Sequence, residues 1–172
     1  SLLAADPIAK PQRISDDSKI IGYALIKEPN NFYAKLVKLA NVIYPGSGAT
    51  MDQQAASIKP ILDSSISISA ILYSNENFQS TPFVGIYITV KDKKVFENPM
   101  VNMMPTHEIV DNTLVISTDP NGLAKFKEFQ KNIIALKSQK DIEVFIDIKN
   151  IVKLNNNVIV EKAPYTKDIY SQ

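Results

Sequence analysis

Residues 113–129, TLVISTDPNGLAKFKEF, decide the fold. Of the first six all but Ser117 are β-branched or apolar, and together they have the length of a strand. Asp119-Pro120 then punctuates the chain. An Asp side chain can accept from the free N–H groups of a helix's first turn, and Pro is tolerated there because its missing N–H has no intrahelical partner. Beyond it Leu123, Phe126, Phe129, Ile133, Ile134 and Leu136 recur at helical spacing. The stretch predicts a strand over 113–118, a helix capped by Asp119, and an apolar stripe on that helix.

The same reading extends outward. Residues 19–27 (KIIGYALIK) form an apolar run of strand length. Pro29-Asn30-Asn31 opens a helix whose stripe is Phe32, Leu36, Leu39 and Ile43, and Pro45-Gly46-Ser47-Gly48 ends it. Thr50 or Asp52 is placed to cap a second helix through Leu62, with Ala55, Ile58 and Leu62 inward and Pro60 weakening its last turn. Residues 66–73 and 83–90 read as a loosely connected strand pair. In the first of them Ser65, Ser67 and Ser69 stand opposite Ile66, Ile68 and Ala70, and the serines are expected to face water or a covering domain. Residues 91–112 read as irregular. Residues 141–148 (DIEVFIDI) predict a strand with Ile142, Val144 and Ile146 on one face and Glu143, Phe145 and Asp147 on the other. Asn155-Asn156-Asn157 predicts a turn before a short edge strand, Val158-Ile159-Val160.

This order predicts an α+β fold: a mainly antiparallel sheet with helices packed on one face, a two-layer sandwich related to the ferredoxin-like plan. Residues 1–18 read as an N-terminal linker or the end of a leader, 19–160 as a single domain, and 161–172 as a C-terminal tail. A chain of 172 residues suits one domain, which buries roughly 70% of the surface its unfolded form exposes.

Residues 112–120 (NTLVISTDP) and 141–149 (DIEVFIDIK) resemble segments of uncharacterised bacterial secreted or lipoprotein domains, which open on a short strand-then-helix unit. That resemblance implies an extracytoplasmic location, whether periplasmic, secreted or membrane-anchored. It implies no particular activity. Ser1-Leu2-Leu3-Ala4-Ala5 reads either as the tail of a leader with small residues at a cleavage site or as an arbitrary start. No apolar run reaches the ~20 residues that cross a bilayer as a helix.

Composition narrows the chemistry. Nineteen Lys and Arg against eighteen Asp and Glu leave a net charge of +1. The cations are dispersed, so a nucleic-acid partner is not expected. With no Cys there is no disulfide, thiolate nucleophile or Cys-bound zinc. Gly46-Ser47-Gly48 lacks the Gly-Lys-Ser/Thr ending of a phosphate loop and falls between helices. Glu143 and Asp147 lie ~13 Å apart at strand rise, too far for either two-carboxylate glycosidase geometry. No residue is assigned a catalytic role and no cofactor is expected.

One cluster has a chemical alternative. Met100, Met103, Met104 and His107, the sole His, fall within eight residues. Thioethers and imidazole suit a soft ion such as Cu(I), whereas Met also fills irregular gaps in a core. The first expectation is a non-catalytic envelope module acting through an unknown protein partner or a further domain of the same protein. The alternatives are a Cu(I) or small-ligand binding protein, and a hydrolase whose site the sequence does not display.

Overall fold

The computed structural model describes residues 19–74, 82–134, 141–148 and 151–152. Six strands form one open sheet: β1 (Ile20–Lys27), β2 (Ser65–Tyr73), β3 (Phe83–Val90), β4 (His107–Val110), β5 (Thr113–Ser117) and β6 (Ile142–Ile146). Their order is β4-β5-β3-β2-β1-β6, and every neighbouring pair is antiparallel. With its helices the chain is α+β. The strand order runs largely neighbour to neighbour, without the interleaving of a ferredoxin-like sheet.

The opening stretch folds as read. Asp119 Oδ1 accepts from Asn121 N at 2.8 Å, capping a 3-10 turn over Pro120–Gly122. That turn runs directly into the helix at Leu123–Ile134, here called α5. The side chains of Ile133 and Ile134, and all of Leu136, lie outside the described residues, as do the predicted turn at 155–157 and the strand at 158–160.

Because side chains alternate across a strand, the register assigns each to a face. Tyr23 stands opposite Ile71 and Phe145, Leu25 opposite Ser69, and Ser69 opposite Tyr87, which pairs with Val115. α5 covers this face with Phe126 and Phe129. Phe126 meets Tyr73 and Tyr87 edge-on, each at 6.4 Å between ring centroids. The Tyr87 hydroxyl donates to the Phe126 carbonyl at 2.7 Å, tying helix to sheet inside the core.

The opposite face carries a second cluster. Leu114, Ile116 and Val90 pack against Ile61, Phe96 and Val101. Ile61 comes from α3 (Lys59–Ser64), Phe96 from a 3-10 turn at Lys93–Glu97, and Val101 from α4 (Pro99–Asn102). Helical segments therefore lie against both faces.

Several expectations need correction. Residues 91–112 are not irregular: they hold the 3-10 turn, α4 and β4. β4 closes on β5 through Asp111-Asn112, with Asp111 at φ 54°. The region from 47 to 64 is two helices, α2 (Ser47–Ala55) and α3, so Thr50 and Asp52 lie within α2 rather than capping it. Asn41 of the preceding helix, α1 (Pro29–Ile43), supplies Oδ1 to Gly48 N at 2.8 Å, a tertiary cap that local spacing does not reveal. Pro60 opens α3 instead of weakening the end of a longer helix.

Two of the three β2 serines do not face water, and Ser67 is half-buried. Ser69 is buried between Leu25 and Tyr87, where a small side chain leaves room for both neighbours. Ser65 is buried at the end of α3, donating to Ile61 O at 2.7 Å. β6 also turns one of its two faces to the core. Phe145 packs on the core, and Ile142, Val144 and Ile146 are exposed.

Candidate interaction site

The apolar stripe of α1 is largely uncovered. Leu36 is 38% exposed, Leu39 56% and Ile43 62%, and Val42 reaches 80%. The only buried residue of this fifteen-residue helix is Pro29. Its amphipathic pattern therefore points to a surface that the described chain leaves open.

β6 continues that surface. A groove of about 610 Å³ lies between α1 and the start of β6, with Phe32, Leu36, Leu39 and Ile142 among its walls. Lys35 Nζ approaches Asp141 at 3.6 Å beside it, an exposed pair of little energetic weight. Val144 and Ile146 follow Ile142 on the same side of β6 by alternation. They join Gly22 and Ala24 of β1, Ala70 and Leu72 of β2, and Val84 of β3 in a shallow apolar depression. This is the sheet face opposite α5. Isoleucine, valine and leucine side chains thus run from α1 through Ile142 onto the open sheet. Such a surface offers burial to an apolar partner.

The Met/His cluster is split between environments. Met104 packs on the second core cluster and helps line a cavity of about 90 Å³ with Ile58, Ile61 and Ile88. Met103, at the end of α4, is 76% exposed. Met100 is half-buried in α4, and His107 begins β4 with Nδ1 3.0 Å from Pro105 O. Among the described residues, no group of three or more His, Asp or Glu is arranged to hold a metal. Gly46 takes φ 91° in the α1–α2 turn, and Ser47 and Gly48 form the start of α2.

Two buried tyrosines shape the electrostatics of the core. Burial pushes the Tyr87 hydroxyl well above its ordinary value. Burial does the same to Tyr23, and the negative charge of Glu143 adds to it. Both favour the protonated folded state. Their contribution is fully present below the unfolded tyrosine value of about 10 and is lost as pH rises beyond it. The Tyr23 hydroxyl has no hydrogen-bond partner among the described residues, whereas that of Tyr87 is paired. Tyr23→Phe is therefore expected to raise stability by up to about 1 kcal/mol, and Tyr87→Phe to lower it by a similar amount. Urea unfolding at pH 7 checks both signs, and a scan to pH 11 should show a shallower loss in each variant.

Sequence reading offered the β2 serines as a face that another domain could cover, whereas the large exposed apolar residues stand on α1 and β6. It identified the α1 stripe and the β6 face of Ile142, Val144 and Ile146 but not their exposure, because their periodicity resembles that of core elements. The available clue was surplus: more apolar faces than the described domain covers. No family model matches the chain, and no curated protein or solved structure matches it.

Proposed function

We propose that this chain is a non-catalytic interaction module of a cell-envelope protein, binding a protein partner through the surface formed by α1 and the open sheet face. One observation carries the reading: the apolar side chains of α1 and of β6 are exposed and meet at Ile142. Burying a Leu or Ile side chain is worth about 1.5–3 kcal/mol, so a partner covering several of them gains enough to offset the cost of association. The envelope location rests on the resemblance of residues 112–120 and 141–149.

The test compares the native chain with a Leu39→Asp/Ile146→Asp variant. Both sites are exposed, so thermal unfolding should change little. Crosslinked complexes recovered from envelope fractions of the native host should fall at least roughly tenfold, the consequence of losing about 1.4 kcal/mol of binding free energy. Unchanged complexes, or a turnover activity in the isolated monomer, would reject the module reading. Cu(I) titration against a competing chelator decides the alternative: sub-micromolar binding lost in Met103→Leu/His107→Ala would favour a metal carrier.

A further inference from the structure

β6 ends the sheet, and among the described residues its outer rim is open. Lys27 N donates to Asp141 O and Asp147 N to Ile21 O, each at 2.9 Å. In an antiparallel ladder such bonds recur at every second residue, so Glu143 and Phe145 turn their backbone toward β1. Ile142, Val144 and Ile146 then turn their N–H and C=O groups outward. Edge strands are commonly blunted by Lys, Pro or a bulge, whereas β6 reads IEVFI and keeps an unbroken register with β1.

The side chains along this rim are of two kinds. Ile142, Val144 and Ile146 are exposed on the open sheet face. On the other side of the strand stand Phe145 and Glu143, with Asp141 just before it, its carboxylate 84% exposed. A strand laid against the rim therefore meets apolar groups at every second position and carboxylates at two of the intervening ones. Opposite charges across a strand pair attract, and like charges repel. That repulsion disfavours a second copy's β6. Centred on Val144 it would oppose Asp141 with Asp147 at both ends, and centred on Glu143 it would oppose Glu143 with itself. Centred on Phe145 it would oppose Glu143 with Asp147. A register centred on Ile146 needs strand beyond Asp147, where the chain already turns helical, with Ile151 N donating to Asp147 O at 3.0 Å.

We propose that β6 binds its partner by strand addition, pairing its rim with an extended segment that alternates apolar residues with lysine or arginine. The inference rests on the reading of the open sheet face as an interaction surface and names the chemistry of what docks beside it. Backbone hydrogen bonds to Ile142, Val144 and Ile146 hold the segment whatever its sequence, and the alternating side chains select it. Its apolar residues extend the face made by Ile142, Val144 and Ile146. Its cations stand opposite Glu143 and Asp141, the charges that turn away the chain's own copy.

Two short capped peptides serve as probes of the full chain, one alternating valine with lysine and the other valine with glutamate. Amide exchange at Ile142, Val144 and Ile146 should be fast in the chain alone and slow at least roughly tenfold when the lysine peptide saturates it. The lysine peptide should bind at least roughly tenfold more tightly than the glutamate peptide at low salt, and Glu143→Lys should reverse that order. Val144→Pro removes an outward donor without breaking a bond to β1. It should leave thermal unfolding little changed and cut lysine-peptide binding at least roughly tenfold. Rim amides already protected in the chain alone, equal binding of the two peptides, or binding unchanged by Val144→Pro would each overturn the proposal. Crosslinked complexes from the native host separate this inference from the wider reading. If they survive Val144→Pro but fall in Leu39→Asp/Ile146→Asp, strand addition alone is rejected; if they survive both, the interaction surface is rejected with it.

Discussion

Gly85→Val is expected to destabilise the protein by about 3 kcal/mol or more, enough to remove much of the 5–15 kcal/mol typical of a domain. Gly85 sits in β3 opposite Ile71 and Ser117, on the face covered by α5. A Cβ built there would lie 2.5 Å from Phe126 Cγ. The ring cannot retreat easily, because it is fully buried and bounded by Tyr73 and Tyr87. The absent side chain is the seat of the Phe126 ring, so glycine here is a packing requirement rather than a turn requirement. Urea unfolding measures the loss. Gly85→Ala should be milder, and combining it with Phe126→Leu should recover part of the cost, because neighbours sharing one space are non-additive. A Gly85→Val protein as stable as the native one would mean that α5 does not sit where Phe126 fills this gap.

The strand-to-helix unit around Asp119 was legible because every local cue agreed: β-branched residues, an Asp cap, a Pro in the first turn, then a helical stripe. The β2–β3 pairing was legible too, with Tyr73 opposite Phe83 and Leu72 opposite Val84. What could not be read was which face of an alternating strand is covered. Periodicity separates two faces but does not say which meets the core. In β2, Ser69 is inward because Leu25 and Tyr87 fill the space around it. In β6, a single Phe145 outweighs three β-branched residues because α5 and Tyr23 lie on its side. α1 escaped for a related reason: an amphipathic stripe predicts burial but not against what. β4 is only four residues long and begins two residues after Pro105, so its pairing with β5 is tertiary information.

The sharpest contrast is between α5 and α1, which look alike as sequences. Phe126→Ala is expected to cost about 4 kcal/mol, through lost transfer energy and the cavity left between Tyr73 and Tyr87. Leu39→Ser, at an equivalent-looking stripe position, should change stability by no more than about 0.5 kcal/mol, since that side chain is already 56% exposed. Both are read by urea unfolding of the isolated chain, with hydrogen exchange showing whether α5 opens in the first variant. The pair separates two uses of an apolar face. α5 spends its face inside the fold, so removing a ring there loosens the sheet. α1 keeps its face outside, so a polar residue there should leave folding intact and weaken only association. If Leu39→Ser instead costs as much as a core truncation, α1 is held against something within this chain, and the proposed interaction surface loses its helical half.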